Sequence, residues 1–451
     1  MNYHFIAIGG SAMHNLAIAL QKQGHAISGS DDEIFDPSKS RLEKLGLLPE
    51  NFGWFPEKIT LELDAIVLGM HARIDNPELL RAQELGLKIF SYPEFLYEQT
   101  KNKKRVVIGG SHGKTTTTAM ILHVLNSCGK TFDYMVGAQL DGFETMVEFN
   151  KESEYAIFEG DEYLTSPIDL RPKFHLYKPH IALITGVAWD HINVFPTFEN
   201  YCEQFQIFAD RIEHNGCLIY FEGDDQLLEL SKKLRADIRA IPYHTPKHTI
   251  NNNITSIEFN EEFVPLKVFG LHNLQNLKGA YYVCKEMGIS DNEFYTSIQS
   301  FGGAAKRLQM LASNNKTTIF QDFAHSPSKL KATVSAVKEQ YPQKNVISFM
   351  ELHTFSSLNI EFLKEYKGSL DFADQAYIFY SKHAIELKML EDIDPLLVKE
   401  AFKKEDLKVF TERDDLENEI HSLDLTNAIV LFLSSGNFSG INLKELANKL
   451  I

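Results

Sequence analysis

A chain of 451 residues has room for two to four domains of ordinary size, and a composition of 44% hydrophobic and 24% charged residues is that of a globular protein, not a disordered or low-complexity one. Its 45 Lys and Arg against 61 Asp and Glu leave a net charge of −16, which disfavours a general nucleic-acid binder but permits a small phosphorylated ligand in a local pocket. The cysteines Cys128, Cys202, Cys217 and Cys284 have neither zinc-knuckle nor Cys-x-x-Cys spacing, and no apolar run reaches the ~18 residues of a membrane span.

Along the chain a short β-rich run, a turn and an amphipathic helix recur, which predicts an α/β protein with mostly parallel sheets. The first unit starts with a strand at Phe5-Ile6-Ala7-Ile8, a Gly9-Gly10-Ser11 turn and a helix carrying Leu16 and Leu20. Strands at Ala26–Ser28, Ala65–Leu68 and Ile89–Ser91 follow. The N-terminus enters its first strand directly, with no leader, so a cytoplasmic protein with reduced thiols is expected. The basic stretch Thr100–Arg105 reads as a solvated linker. A second unit opens at Val106 with further strands near Tyr155–Phe158, Ile181–Ile184 and Cys217–Tyr220, and a flexible joint is expected at Gly302-Gly303-Ala304-Ala305. In the third unit strands at Thr317–Gln321, Val346–Phe349, Gln375–Phe379 and Ala428–Leu433 are expected, with a helix between Ser326 as N-cap and Pro342 as terminator. The implied organisation is three α/β domains, 1–100, 101–305 and 306–451.

The strongest local signal is Val106-Val107-Ile108-Gly109-Gly110-Ser111-His112-Gly113-Lys114-Thr115-Thr116, a buried strand running through glycines into a helix. Glycines let backbone N–H groups approach phosphates, and the helix N-terminus adds positive dipole character. Lys114 would reach the terminal phosphates and Thr115 would meet Mg²⁺. The full G-x-x-x-x-G-K-[ST] pattern is not met, because Ile108 stands at its first glycine. A Gly-Lys-Thr can also be an ordinary strand–helix turn, but with both flanks correct nucleotide triphosphate binding is the better reading.

Two acidic or polar strand ends accompany the loop: Glu159-Gly160-Asp161-Glu162 and Asp190-His191, of which Glu159 and His191 are candidate metal ligands. Either alone would pass for a solvated turn or a structural histidine. Asn273 and Asn276 lie one turn apart and suit the edge of a base, or else cap the helix. Asp322 and His325 follow a strand, where an acid suits ribose hydroxyls or caps the next helix. At the N-terminus Gly9-Gly10-Ser11-Ala12-Met13 with Asp31 downstream forms a degenerate dinucleotide fingerprint suited to a diphosphate.

Taken in this order, the motifs resemble the Mur ligase family, the ATP-dependent amide-bond ligases of peptidoglycan precursor assembly, over essentially the whole chain. The resemblance implies a Rossmann-like UDP-binding domain, a central P-loop ATPase-like domain and a C-terminal Rossmann-like domain that binds the incoming amine. It makes Gly110, Ser111, His112, Gly113, Lys114, Thr115 and Thr116 the ATP loop, and Thr115, Glu159 and His191 the Mg²⁺ ligands. Lys114, Glu159 and His191 become the catalytic set. Asn273 and Asn276 fall in the adenine segment, Arg307 at the joint to the last domain, and Asp322 and His325 in a nucleotide-contacting turn. Gly10, Ser11, Ala12, Met13, Ser30, Asp31 and His71 resemble the branch that binds UDP-N-acetylmuramate. Three stretches, 10–13, 173–179 and 435–440, look more like the members that add L-alanyl-γ-D-glutamyl-meso-diaminopimelate in recycling than like those that add L-alanine. Two departures stand out. Phe205-Gln206 occupy the place of a carbamylated lysine, and Met350–Phe355 lack an arginine expected to grip the incoming peptide. An NAD-dependent oxidoreductase would use the N-terminal glycines but not a second loop with Lys-Thr, and a non-catalytic nucleotide-binding module would not need the full set of loop, acid, histidine and asparagines. No nucleic acid and no membrane insertion are expected, and the oligomeric state is open.

Overall fold

The computed structural model describes residues 1–451, and its regular elements build three main sheets in chain order. The first has four parallel strands in the spatial order Ala26–Ser30, Asn2–Ile6, Ala65–Leu68, Ile89–Ser91. The chain leaves Asn2–Ile6 to one side and later returns on the other, so the turn after Ile6 lies at a switch point, where α/β sheets bind ligands. The strand is shorter than the apolar run suggests. Ala7 turns into the left-handed region at φ 67°, and the N–H groups of Ala7 and Ile8 both donate to Ser30 O at 2.9 and 3.1 Å.

The second sheet has seven strands, ordered Arg239–Tyr243, Cys217–Phe221, Ile181–Ile184, Lys104–Gly109, Tyr155–Glu159, Asp133–Met135, Val147–Glu148, parallel except for the last pair. Val106, Val107 and Ile108 are fully buried, as are Ile157, Phe158, Leu183 and Ile184 on the flanking strands. Such near-continuous apolar runs are what a parallel strand covered on both faces requires. The third sheet has six strands, ordered Gln309–Ser313, Thr317–Asp322, Ala428–Leu433, Asn345–Glu351, Gln375–Phe379, Lys408–Phe410, antiparallel only at its first pair. Its helix Pro327–Gln340 buries Leu330, Val334 and Val337, although Ser326 caps it by position only and makes no side-chain cap bond. Two small antiparallel ribbons, Leu164–Pro172 and His248–Pro265, escape the sequence reading because their strands are mostly half-exposed and polar.

By compactness the chain divides into two units: residues 1–187, 202–243 and 279–293 in one, and 188–201, 244–278 and 294–451 in the other. These limits cut across the expected range 101–305, and the last of them falls at 293/294. Within the second unit the reason is visible. Phe269 packs edge-on to Phe320 and Tyr341 with centroids 6.0 and 5.8 Å away, and Thr255 Oγ1 donates to Gln340 Oε1 at 2.7 Å.

The stretch expected to be a solvated linker is only partly that: Lys101, Asn102 and Lys104 are exposed, but Thr100 and Arg105 are buried in a polar knot. Arg105 is 2% exposed; its Nε donates to Tyr177 O and Lys178 O, one terminal nitrogen to Thr100, Lys101 and Lys103 O, and the other to Glu213 Oε1. Lys103 Nζ meets Asp133 Oδ2, Asn150 O and Ser153 Oγ. Arg105→Ala would strand these carbonyls and should lower unfolding free energy by about 3–5 kcal/mol. Urea titration checks this; a shift under about 1 kcal/mol would show that the knot is dispensable.

Candidate active site

Strand register brings the predicted loop and acid together. Ile108 pairs with Glu159 and Gly109 with Ile184, so three strands end level. Above these ends the glycine loop runs into the helix Lys114–Ser127, with Gly110 at φ 130° and Gly113 at φ 78° as its left-handed N-cap. A Cβ on Gly110 would lie 2.2 Å from Thr185 Oγ1, so both conformation and space call for glycine. Ser111 N donates to Gly186 O at 2.9 Å, and the Thr185 hydroxyl donates to His112 O, which ties the loop to the neighbouring strand end.

Lys114 donates to Gly110 O at 2.8 Å and to Glu162 Oε2 at 2.5 Å, and the Glu162 side chain is fully buried. Burial pulls the Lys114 ammonium down, but Glu162, Asp161 and Glu159 outweigh it and hold the group above its usual value. Thr115 Oγ1 donates to Glu159 Oε1 at 2.8 Å, and Gly137 N donates to Glu159 Oε2 at 2.7 Å. Gly137 has to be glycine for this, because a Cβ there would come within 2.8 Å of the carboxylate. The sequence reading assigned no role to Glu162 or Gly137; the signal within reach was the second acid of the Asp161-Glu162 pair, three residues past Glu159.

Thr115 and Glu159 offer hard oxygens of the kind Mg²⁺ takes. No group of three or more His, Cys, Asp or Glu gathers to hold a metal unaided.

The remaining nucleotide candidates lie in the other unit. His191 adopts φ 54° and its N–H donates to Asp190 Oδ1 at 2.8 Å. Buried Asp190 faces Lys329 Nζ at 3.1 Å and His325 Nε2 at 4.0 Å. Burial would raise the Asp190 carboxyl, but Lys329, His191 and His325 bring it well below the usual range. His325 is pushed down to about 3 by burial and then by Lys329, and its Nδ1 donates to Phe323 O at 2.8 Å. Asp322 is a brace: Oδ1 accepts from Leu308 N and Phe323 N, and Oδ2 from the Thr333 hydroxyl. Arg307 lies 4.3 Å over the Phe323 ring. Asn273 and Asn276 are both buried near the start of the helix Leu271–Glu286, and Asn273 Nδ2 donates to Phe269 O.

At the N-terminal switch point Gly9 N donates to Asp31 Oδ2 at 2.7 Å, and burial pushes the Asp31 carboxyl up to about 6. Ser11 is exposed and Ala12 half-buried, whereas Met13 is buried, so the Met13 side chain belongs to the core and not to an open substrate face. Ser30 is also fully buried with an unpartnered hydroxyl; its main-chain oxygen shapes the loop. His71 is exposed.

Two measurements follow from this geometry. Gly110→Ala should weaken ADP binding by about tenfold or more, since it adds a steric clash to a backbone strain of about 1–3 kcal/mol; calorimetric affinity within about twofold of wild type would show that the loop adapts. The His325 value lies below that of the unfolded chain, about 6.5, so the unfolded state takes up the proton first and stability falls as pH drops from about 6.5 toward 3. Melting temperature should therefore decline more steeply on acidification in the wild type than in His325→Gln; parallel curves would contradict a neutral buried imidazole.

The Mur ligase middle domain profile matches residues 108–284, and the profile described as Mur ligase family, catalytic domain, matches residues 2–104. A UDP-N-acetylmuramate–L-alanine ligase of Caldicellulosiruptor saccharolyticus is 31% identical over 396 residues, covering 84% of this chain and 83% of that one. Its counterpart in Aquifex aeolicus is 26% identical across 97% and 95% of the two chains. Among solved structures, a murein peptide ligase of Psychrobacter arcticus superposes with TM-score 0.68 at 21% identity over 99% of this chain and 98% of that one. The UDP-N-acetylmuramate–alanine ligase of Thermotoga maritima gives 0.72 at 19%, over 100% and 98%. With both profiles matched in order and a glycine–lysine–threonine loop set against Glu159, the chain belongs to the Mur ligase family, ATP-dependent ligases that form carbon–nitrogen bonds in peptidoglycan assembly.

Proposed function

We propose that this ligase joins the lactyl carboxylate of UDP-N-acetylmuramate to an amine through an acyl phosphate. The observation that supports this most is the half-buried Lys114 ammonium under the glycine loop, with Thr115 and Glu159 beside it. A carboxylate oxygen attacks the γ-phosphorus of ATP and the bond to the β–γ bridging oxygen breaks, releasing ADP. The amine nitrogen then attacks the acyl carbon, the carbon–oxygen bond to phosphate breaks, and the amine gives up a proton. In the first step like charges meet. Lys114 and the loop N–H groups offset that repulsion and stabilise the transferring phosphoryl group. Mg²⁺ held by Thr115 and Glu159 would neutralise further phosphate charge.

In this reading residues 1–100 bind the UDP-sugar through Gly10, Ser11, Ala12 and Asp31, residues 101–305 bind ATP, and residues 306–451 receive the amine. By resemblance alone, His191 is a further metal ligand, Asn273 and Asn276 serve adenine, and Arg307, Asp322 and His325 serve the nucleotide. As for the amine, the curated relatives that match along most of their length are named L-alanine ligases, and this favours L-alanine over the tripeptide expected from residues 10–13, 173–179 and 435–440. The tripeptide reading keeps the support of those stretches and of the murein peptide ligase folds.

Phosphate release from ATP with UDP-N-acetylmuramate and either amine separates the two. Stimulation by L-alanine alone establishes the first reading, and stimulation by the tripeptide alone establishes the second. No stimulation by either would refute both. Lys114→Ala should lower ligation by a factor of about 10³ or more while UDP-N-acetylmuramate still binds; near-normal turnover would remove Lys114 from the mechanism.

A further inference from the structure

The loop that begins the helix Ser11–Lys22 carries no side-chain cap of its own. Instead, the fourth and fifth helical residues reach back to it. Gly10 O accepts from His14 N at 2.9 Å and also lies 3.0 Å from His14 Nδ1. Asn15 Nδ2 donates to Ser11 O at 2.8 Å.

The tautomer of His14 follows from its neighbours. Asn15 Oδ1 accepts from Met146 N at 3.0 Å, which fixes that amide, so Asn15 Nδ2 is the atom 3.0 Å from His14 Nε2. Arg41, which can only donate, lies 3.3 Å from the same Nε2. Nε2 is therefore an acceptor, and the imidazole proton sits on Nδ1, shared between Gly10 O and Ser38 Oγ at 3.0 Å. Burial and then Arg41 keep the ring neutral, against the Gly10 contact, which alone favours the charged form. Arg41 is itself fixed to Glu144 O at 2.8 Å.

In a trans peptide the C=O and N–H point in opposite directions. Holding Gly10 O and Ser11 O inward thus aims Ser11 N–H and Ala12 N–H outward at the helix N-terminus, on residues that are exposed and half-exposed. We propose that His14 and Asn15 are positioning residues that aim these two amides at the diphosphate of a nucleoside-diphosphate sugar, with Arg41 and the segment Glu144–Met146 fastening the pair from behind. The inference rests on the UDP-sugar reading of the first domain and adds to it buried residues behind the loop. The family resemblance places the glycine loop; the hydrogen bonds among His14, Asn15, Arg41 and Met146 are what assign the aiming role.

Calorimetric binding of UDP-N-acetylmuramate and, separately, of ADP to the full-length chain tests it. His14→Ala and Asn15→Ala should weaken UDP-N-acetylmuramate by about tenfold and leave ADP within about twofold. In turnover, KM for UDP-N-acetylmuramate should rise while kcat at saturation changes little. His14→Asn, whose amide can stand where Nδ1 stands, should recover most of the loss, whereas His14→Phe, which fills the space without a donor, should not. His14 is buried, so melting curves check folding; Arg41→Met removes the donor to Nε2 from the half-buried side and should weaken UDP-N-acetylmuramate by about threefold. Unchanged UDP-N-acetylmuramate affinity in folded variants overturns the proposal, as does an equal loss for both ligands. A wild type that binds ADP but not UDP-N-acetylmuramate would instead overturn the proposed acceptor, which is a different result.

Discussion

Everything at the candidate active site depends on three parallel strands ending level. The ladder that sets Ile108 beside Glu159 and Gly109 beside Ile184 fixes where the glycine loop begins, where the acid stands and where Thr185 can brace the loop. A one-residue slip would turn each of these side chains to the opposite face of the sheet. The apolar runs bury both faces of these strands and so keep the ladder out of water.

The second organising theme is that four buried or half-buried cations of this acidic chain are held against its own oxygens. Arg105 satisfies a set of carbonyls, Lys103 joins Asp133 to Asn150 and Ser153, Lys114 meets Glu162, and Lys329 meets Asp190. Such pairs add little net stability over a well-packed apolar substitute, but removing one partner leaves the other stranded. Their value is positional: each sits where the chain must hold one geometry, at the entrance to the central strand, in the phosphate loop, or behind His191.

Much of this was legible in residue order. The strands Ile181–Ile184, Gln375–Phe379 and Ala428–Leu433 lie where apolar runs between turn residues place them, and the Gly110–Thr116 loop and Glu159 meet as their spacing implies. What stayed hidden depended on partners far away in sequence. Arg105 looks like one more base in a polar stretch until Tyr177 and Glu213 come to it. Ser30 and Met13 sit in plausible ligand positions, and only the packing shows that their side chains face inward. Asp322 stands where the pattern puts a ribose contact, and only the structure shows that its oxygens also brace Leu308, Phe323 and Thr333. The polar antiparallel ribbons have no strong period to read, and the assignment of residues 244–278 to the second compact unit rests on Phe269 and Thr255 finding partners more than 50 residues away.

The Lys114–Glu162 pair has a consequence for selectivity among anions. Without nucleotide the phosphate loop is not a bare positive hollow, because its ammonium is already matched by a buried carboxylate, with Glu159 and Asp161 close enough to hold its charge. A free phosphate or sulfate ion approaching it meets more negative than positive charge. In the proposed reading, the divalent cation of a metal–nucleotide complex would bring positive charge for Glu159 and Thr115 to meet. On that reading the pair would disfavour small free anions relative to a polyphosphate that comes with its metal.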